Sequence, residues 1–440
     1  MAGTRLTEPV APTLERFERL VPDSEWAFAH LTQAQTNYAT HGYHRYPAKF
    51  IPQLVAKLIE AYSCPGDTVL DPFMGSGTAL VEAKRLGRPS MGVDINPVAH
   101  LVAEAKVRAL EPRMLDEAIA HVWERLMFQL QPSLFSWNAP LMGETCWHER
   151  LRYWFREDVL HTLYQIQQSF ETLGDAVQPF FRCALSHTLK PVSWWHDRSV
   201  KPMRKLDKPI PDPLHVFFRH VKRMARGNRD YWELLTAAGT RDTPVSCYCA
   251  DARDLPVPDG SVDLIVTSPP YVTSYEYADL HQLSALWFQM TTDLRAFRRD
   301  FIGRSNGVHE PLGDLHSPLA EQIVERLAVC NPRKAKEVAL YFAEMYACFT
   351  HWRRVLRVGG HACIVIGNTH LNGIEVQNAQ VFAEQLQTLG FVLERVILRE
   401  IPTKILPRTR DKQTGKFAKS QDADYLAYPM EYILVLRYSG

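Results

Sequence analysis

The stretch that decides the fold is Thr68-Val69-Leu70-Asp71-Pro72-Phe73-Met74-Gly75-Ser76-Gly77-Thr78. Its first three residues form a short apolar strand, and a helix is predicted over residues 79–86. Gly75 and Gly77 let the backbone pass close to a ligand, and the helix start offers free N–H groups to an anionic group. A strand, a glycine turn and a helix in this order are typical of the opening of a doubly wound α/β domain.

A second strand is predicted over residues 90–93, and Asp94 follows it directly. This is the position of a ribose-binding acid, whose carboxylate can accept hydrogen bonds from both ribose hydroxyls. A lone Gly-x-Gly often only joins a strand to a helix, but with Asp94 it predicts a nucleoside-type cofactor. These residues do not distinguish a dinucleotide from S-adenosylmethionine.

The motif Ser268-Pro269-Pro270-Tyr271 follows an apolar strand predicted over residues 262–266, at the carboxyl end of the sheet. Two prolines fix the backbone and donate no N–H, so the carbonyls around Ser268 and Pro269 are rigid acceptors. Acceptors around the two protons of an exocyclic amine favour the pyramidal form that attacks a methyl group. Tyr271 offers a face on which an extruded base can stack. A purely structural turn is the alternative; with the glycine turn upstream, the motif favours methyl transfer to a base.

On these two motifs the chain resembles the DNA amino-methyltransferases, over residues 41–106 and 245–440. Their tetrad begins with Asp, Asn or Ser. The Ser form here is similar to the cytosine-N4 branch, whereas Asp is commoner among adenine-N6 enzymes. The resemblance implies a Rossmann-like class I S-adenosylmethionine-dependent fold, with a mostly parallel seven-stranded sheet and an antiparallel last strand.

The resemblance also implies the roles of individual residues. The catalytic tetrad is Ser268, Pro269, Pro270 and Tyr271. The cofactor residues are Tyr46, Pro47, Lys49, Phe50, Asp71, Phe73, Gly75, Gly77, Thr78, Asp94, Ile95, Asp251 and Ala252. Residues 46–50 are similar to the element that covers the methionine end of the cofactor, Asp71 would reach its amino group, and Asp251 would meet the adenine amine. Strand-end capping is the alternative for both acids, and a solvated surface charge is the alternative for Lys49.

The chain divides into three parts by its pattern. Residues 1–40 form an N-terminal lead-in, residues 41–106 and 245–440 the catalytic domain, and residues 107–244 a large helical insertion rich in aromatic and basic residues. The insertion is the candidate target-recognition region. Nearly all the residues between the glycine turn and the Ser-Pro-Pro-Tyr motif lie before Asp251. The order of the motifs therefore leaves the location of the target-recognition region open.

Two basic stretches are candidates for contact with DNA. The first contains Lys190, Trp194, Trp195, Arg198, Lys201, Arg204 and Lys205, and the second contains Lys404, Arg408 and Arg410. Interleaved arginines and aromatics suit phosphate contact and base readout. A solvated helix face is the alternative for any single residue. Tyr275, Tyr277 and Trp287 either wall the base pocket or pack in the core.

Composition limits the other possibilities. The 440 residues are 46% hydrophobic and 22% charged with a net charge of +1, which is ordinary for a globular protein and excludes a polycation. The eight cysteines are scattered without zinc-site spacing, so we expect reduced thiols and no metal. No apolar run is long enough to cross a bilayer and no secretory signal is evident, so we expect a cytoplasmic protein without a membrane partner.

The sequence therefore predicts a site-specific methyltransferase that moves a methyl group from S-adenosylmethionine to N4 of a flipped cytosine in duplex DNA. The context would be restriction–modification or a related defence system, with a cognate endonuclease or defence component as partner. Three alternatives stay open: an adenine-N6 enzyme, an RNA guanine amino-methyltransferase, and a non-catalytic DNA-binding protein that retains the fold.

Overall fold

A seven-stranded sheet forms the centre of the protein in a computed structural model that describes residues 13–47, 49–130, 147–199, 201–272, 277–303, 313–401, 409–410, 425–426 and 430–440. Its strand order is β3-β2-β1-β4-β5-β11-β8. The strands are β1 (Val69–Asp71), β2 (Ser90–Asp94), β3 (Val245–Cys249), β4 (Val262–Thr267), β5 (Leu356–Ile366), β8 (Phe391–Glu400) and β11 (Met430–Tyr438). Two small pairs lie outside it: β6 (Thr369–Leu371) with β7 (Ile374–Val376), and β9 (Thr409–Arg410) with β10 (Tyr425–Leu426).

The last strand runs against the others. β1 to β5 pair in parallel, whereas β11 lies between β5 and β8 and is antiparallel to both. The predicted fold class, a mostly parallel seven-stranded sheet with an antiparallel last strand, is confirmed.

Fifteen α-helices are present in the described part of the chain. They are α1 (Gln33–Thr36), α2 (Pro52–Tyr62), α3 (Thr78–Arg85), α4 (Pro97–Val107), α5 (Pro112–Leu130), α6 (Glu149–Trp154), α7 (Glu157–Phe170), α8 (Gln178–Leu189), α9 (Pro213–Ala238), α10 (Tyr277–Leu280), α11 (Gln282–Trp287), α12 (Leu294–Arg299), α13 (Pro318–Cys330), α14 (Pro332–Val355) and α15 (Asn378–Thr388). Within the same residues, no helix is long and apolar enough to cross a membrane.

Helices cover both faces of the sheet, so its central strands are continuous apolar runs. On one face, Ile265 and Ile364 pack with residues of α14 and α15. On the other, Leu264 and Val266 pack with residues of α2 and α3. Successive residues of β4 therefore point into two separate cores, which fixes the register of the strand.

The N-terminal residues complete the second of these cores. Trp26 is 3% exposed and packs in the same cluster as α2 and the sheet. The backbone N–H of Asp23 donates to the carbonyl of Leu398 in β8 at 2.8 Å. The described part of the predicted lead-in thus packs on the sheet domain, a contact that its weak sequence pattern did not indicate.

The helices between β2 and β3 form their own hydrophobic core. Aromatic residues of α7, α8 and α9, among them Phe170, Phe181 and Phe217, make up much of it. Val102 and Ala105 of α4 belong to the same cluster, so the insertion is packed onto a helix of the sheet domain. Its position against α4 is therefore set by side-chain packing.

Gly77 gives a prediction about stability. Its φ is +73°, and a Cβ added there would lie 2.8 Å from Cβ of Ala103 in α4. We expect Gly77→Ala to lower the free energy of unfolding by about 2–4 kcal/mol, because backbone strain and overpacking act together. Urea denaturation measures the change. Gly66→Ala is the control, since Gly66 has a φ of +95° with nothing within 4 Å, and it should cost only about 1 kcal/mol. Equal losses in the two variants would contradict the packing argument.

Candidate active site

An open cleft lies at the carboxyl ends of β1, β2, β3 and β4. It holds about 890 Å³ of empty space, part of it open to solvent. The predicted residues that line it are Tyr46, Pro47, Lys49, Phe50, Asp71, Phe73, Gly75, Thr78, Asp94, Ile95, Asp251, Ala252, Ser268 and Pro270. The glycine turn and the Ser-Pro-Pro-Tyr motif, almost two hundred residues apart in sequence, face the same cavity.

The glycine turn is held by the two acids that end β1 and β2. The N–H of Phe73 donates to Oδ1 of Asp71 at 3.1 Å, and the N–H of Gly75 donates to Oδ2 of Asp94 at 2.9 Å. Gly75 has a φ of +47°, and a Cβ there would come within 3.2 Å of the Tyr46 ring. Glycine therefore allows Tyr46 to lie directly over the turn.

Asp94 keeps acceptor capacity towards the cleft. Its Oδ1 accepts from the N–H of Asn96 at 2.9 Å, and its Oδ2 accepts from Gly75. Each carboxylate oxygen can accept about two hydrogen bonds, so each retains a lone pair for a hydroxyl. Burial raises the pKa of Asp94 to about 6.

Asp71 is both a strand-end cap and a cleft residue. Besides the N–H of Phe73, its Oδ1 accepts from Oγ1 of Thr267 at 2.7 Å, which joins the ends of β1 and β4. Burial raises the pKa of Asp71 to about 7, and the nearby Asp94 adds to the shift. Capping of the strand end and contact with a cofactor are therefore compatible roles for Asp71.

Asp251 is fixed by an arginine. The Arg253 side chain donates from Nε and Nη2 to the two oxygens of Asp251, at distances down to 2.6 Å. The same guanidinium bonds Glu344 of α14 at 2.8 Å and the carbonyl of Asp300 at 2.9 Å. Through Arg253, the end of β3 is tied to the segment Asp300-Phe301-Ile302, which also lines the cleft. Sequence reasoning missed that segment, because it belongs to no recognisable motif.

The Ser-Pro-Pro-Tyr motif is anchored from two sides. The carbonyl of Pro270 accepts from the Tyr341 hydroxyl at 2.8 Å, and the Tyr271 hydroxyl donates to Glu431 of β11 at 2.8 Å. Pro269 is buried, and neither it nor Tyr271 is among the residues that line the cleft. The motif therefore presents Ser268 and Pro270 to the cavity and uses Tyr271 as a link to the last strand.

An aromatic group connects the glycine turn with the segment that follows the tetrad. The Tyr46 ring lies 4.9 Å from His281 and stacks towards Tyr277 at 6.4 Å between centroids. Below it, Nδ2 of Asn96 donates to Nδ1 of His281 at 2.7 Å, and burial lowers the pKa of His281 to about 3. A neutral His281 can accept this hydrogen bond. Asn96 was missed from sequence, although an Asn before Pro97 is the signal of a helix N-cap.

The segment before α2 is held by buried polar contacts. Lys49 donates to Oδ1 of Asn37 at 2.6 Å and to the carbonyl of His41 at 2.9 Å, and burial lowers its pKa to about 8. His41 in turn contacts Glu82 of α3 at 2.7 Å. Lys49 is therefore not a solvated surface charge, although it also borders the cleft. Its neighbour Ala48 lies outside the described residues.

Gly77 has a different place from the one predicted. It is absent from the lining of the cleft and instead packs against Ala103, while its N–H donates to the carbonyl of Met74 at 2.7 Å. The requirement for glycine here comes from helix packing.

The candidate DNA contacts separate into buried and exposed residues. Trp195 is 1% exposed, stacks on Trp154 at 5.1 Å between ring centroids and donates from its indole to the carbonyl of Ser199. It is therefore a core residue, and its predicted contact with DNA is wrong. Lys190 bonds the same carbonyl at 2.8 Å and also serves the local fold. The exposed candidates are Arg198, Lys201 and Lys205, and the half-buried ones are Trp194 and Arg204.

Several further predictions have mixed outcomes. Tyr277 borders the cleft, whereas Trp287 is buried and donates to Gln167 at 2.8 Å, as expected for core packing. Lys404, Arg408 and Tyr275 lie outside the described residues, and so does the side chain of Arg410. In the parts that are described, no group of three or more His, Cys, Asp or Glu could hold a metal ion.

Asp71 gives a prediction about pH. Asp71→Asn keeps an acceptor for Thr267 and Phe73 but cannot ionise. The carboxyl has a pKa of about 7 in the folded protein, so the folded state binds this proton more tightly than the unfolded chain. The wild type should therefore lose stability relative to the variant as pH rises from about 4 to 7, by about 4 kcal/mol in total. Urea unfolding of both proteins across this range measures the difference. A difference that stays constant with pH would refute the assignment.

Similarity to known proteins agrees with this geometry. The N6_N4_Mtase family model, described as DNA methylase, matches residues 15–105. Type II methyltransferase M.MvaI of Kocuria varians is 26% identical over 423 residues, 91% of this chain and 92% of that protein. Type II methyltransferase M.BsoBI of Geobacillus stearothermophilus is 38% identical over 287 residues, 57% of this chain and 53% of that protein.

A solved structure of a putative DNA modification methylase from Thermus thermophilus, complexed with S-adenosyl-L-methionine, is 18% identical. It covers 43% of this chain and 54% of its own, with a TM-score of 0.23, and at that score the likeness adds nothing to what the strand order already shows. The family match over residues 15–105, the similarity to M.MvaI over 91% of this chain and the strand order all support the DNA amino-methyltransferase family, the N6/N4 methylases, with S-adenosylmethionine as methyl donor.

Proposed function

We propose that this protein transfers a methyl group from S-adenosylmethionine to the exocyclic N4 amine of a cytosine flipped out of duplex DNA. One observation carries the proposal: Gly75 and Asp94 of the cofactor motif line the same cleft as Ser268 and Pro270 of the tetrad. A methyl donor and an acceptor amine need this arrangement, because direct transfer requires both in one pocket.

The residues of the cleft fit the cofactor. Asp94 retains one lone pair on each oxygen for the two ribose hydroxyls, and Gly75 leaves room beneath Tyr46 for a close backbone approach. Asp71 and Phe73 would take the methionine side. Asp251 would take the adenine amine through the acceptor capacity that Arg253 leaves on it. When bound, S-adenosylmethionine supplies an electrophilic methyl group on a positively charged sulfur.

The tetrad would hold the target amine. The carbonyl of Pro270 accepts from Tyr341 and keeps one lone pair, so the acceptors proposed for the two amine protons are the Ser268 hydroxyl and the carbonyls of Ser268 and Pro270, the two motif residues that line the cleft. These groups would favour the pyramidal amine, whose lone pair would bond the methyl carbon as the sulfur–carbon bond breaks, and the methylated amine would then release one proton to water. The bonds from Tyr341 and to Glu431 hold the loop in place, and this preorganisation lowers the barrier by alignment.

The cysteines of the cleft region favour an amine over a ring carbon. Methylation of a pyrimidine ring carbon needs a thiolate nucleophile, and Cys249 is the cysteine beside the Asp94 loop. Burial and the Asp94 charge raise the pKa of Cys249, so its thiol stays protonated. Direct transfer to an amine needs no such nucleophile.

Cytosine is proposed over adenine because the tetrad begins with Ser268, the form similar to the cytosine-N4 branch. Since the similar proteins bear the name Type II methyltransferase, we also propose a role as the modification enzyme of a restriction–modification pair. The helical insertion between β2 and β3 is the proposed target-recognition region.

Two substitutions should separate chemistry from cofactor binding. Ser268→Ala removes one acceptor from the amine and should lower kcat by a factor on the order of 100, with the Kd for S-adenosylmethionine unchanged. Asp94→Ala removes the ribose acceptor and should raise that Kd at least about tenfold. Calorimetry measures Kd and transfer of a labelled methyl group measures kcat. An unchanged Kd in Asp94→Ala would refute the ribose assignment, and an unchanged kcat in Ser268→Ala would refute the tetrad's role.

The base and the atom are decided by one experiment. The chain is expressed in a host without DNA methylation, and the host DNA is sequenced by chemistry that distinguishes methylated cytosines from methylated adenines. We expect N4-methylcytosine at one short recognition sequence, and Ser268→Ala is the control. N6-methyladenine would overturn the cytosine assignment. Methylation of tRNA with none in DNA would overturn the substrate.

A further inference from the structure

A short hairpin lies between α8 and α9 of the helical insertion. Trp195 and Arg204 form an isolated antiparallel bridge, the N–H of His196 donates to the carbonyl of Met203 at 2.8 Å, and that of Lys205 to the carbonyl of Trp194 at 2.7 Å. We call residues 194–199 and 201–205 the basic hairpin. The two hydrogen bonds that form this bridge hold the hairpin together, and Trp195 joins it to the core of the insertion.

The base of the basic hairpin is fixed from inside. The Lys208 ammonium is buried and donates to the carbonyls of Lys190 at 3.2 Å and Trp195 at 3.0 Å, and it pairs with Asp197 at 2.8 Å. Trp195 stacks on Trp154 beneath it. A buried cation with three oxygen partners holds both arms of the hairpin together, so its outer residues are presented on a rigid support.

The guanidinium of Arg204 lies against two aromatic rings. It is 4.2 Å from the Tyr153 ring and 4.4 Å from the Trp194 ring. Among the described residues no carboxylate pairs with it, and its Nε has no hydrogen-bond partner. Because Nε is buried, only the terminal N–H groups of the guanidinium are left for a ligand, and these groups match the oxygens of a phosphate.

The surroundings of Arg204 are positive. Residues 190–208 contain six Lys or Arg and two Asp, a net charge of +4. Both acids are already paired, Asp197 with Lys208 and Asp207 with Lys205 at 3.7 Å. The positive charge also extends towards the cleft. Burial lowers the pKa of Lys190, and the charge of Arg45, which precedes Tyr46, lowers it further, so the two residues lie close together.

The tip also carries exposed apolar side chains. Met203 is 47% exposed and Leu206 is 65% exposed, next to the exposed cations Arg198, Lys201 and Lys205. A mixture of cations and large apolar side chains on a projecting element suits the backbone and groove wall of a duplex, where sugars are apolar and phosphates are charged.

We propose that the basic hairpin clamps the phosphate backbone of duplex DNA beside the target base, with Arg204 as the phosphate ligand and Met203 and Leu206 against the sugars. This inference rests on the proposed function for its choice of partner. It assigns to Trp195 and Lys208 a supporting role within the hairpin, and to Arg204 a role in affinity that does not involve the chemistry of transfer.

The test compares two stacked arginines. Arg204→Gln in the full-length protein should weaken binding of a fluorescent duplex about tenfold and lower the slope of log K against log salt by about one. The matched control is Arg241→Gln. Arg241 also stacks on a tryptophan, Trp232 at 4.8 Å, but it lies before β3, at the end of the sheet opposite the cleft. That variant should bind DNA like the wild type. Wild-type affinity and salt slope in Arg204→Gln would overturn the proposal.

Two further measurements keep the outcome clear. The double variant Arg198→Gln, Lys201→Gln changes only exposed tip residues. It should also weaken DNA binding and lower the salt slope. If Arg204→Gln unfolds, this double variant decides the matter in the same way.

At saturating DNA, kcat of Arg204→Gln should equal that of the wild type. Hairpin-dependent binding without any methylation would overturn the proposed function and leave this inference standing. Methylation of DNA together with binding that does not depend on the hairpin would overturn this inference and leave the proposed function standing. That result is expected if the hairpin docks a protein partner.

Discussion

The parallel pairing of β1 between β2 and β4 is the constraint on which the site depends. Val69 lies opposite Ser90 on one side and Leu264 on the other, so the three strands end at one level. The residues that follow the three strands therefore lie together at one edge of the sheet. Asp71, Asp94 and Ser268 come together for this reason, and the bond from Thr267 to Asp71 joins two of the strand ends directly.

Sequence reasoning succeeded where the chemistry is carried by short motifs after apolar strands. The strands, the helices that follow them and most of the cleft residues could be predicted, because strand-end residues of a parallel sheet need no long-range information to be placed. The exceptions are instructive. In the sequence, Gly77 looks equivalent to Gly75. Only the packing of α3 on α4 shows that Gly77 contacts Ala103 and does not line the cleft.

Long-range contacts account for what was missed. Nothing local in the sequence connects Arg253 with Asp300 and Glu344, yet that arginine brings Phe301 and Ile302 to the cleft. Trp194 and Trp195 are adjacent and indistinguishable by composition. One stacks on an arginine at the surface and the other lies in the core, because backbone pairing in the hairpin turns neighbouring side chains to opposite sides.

The link between Tyr271 and Glu431 has a consequence for biosynthesis. The two residues are 160 positions apart, and Glu431 reaches the sheet only when β11 inserts between β5 and β8. A ribosome that has completed β4 must still add this length, which at 5–20 residues per second takes about 8–30 s. During that interval the nascent chain holds its cofactor loops but lacks the anchor of the tetrad. The anchored tetrad is thus present only in polypeptides that have closed their sheet.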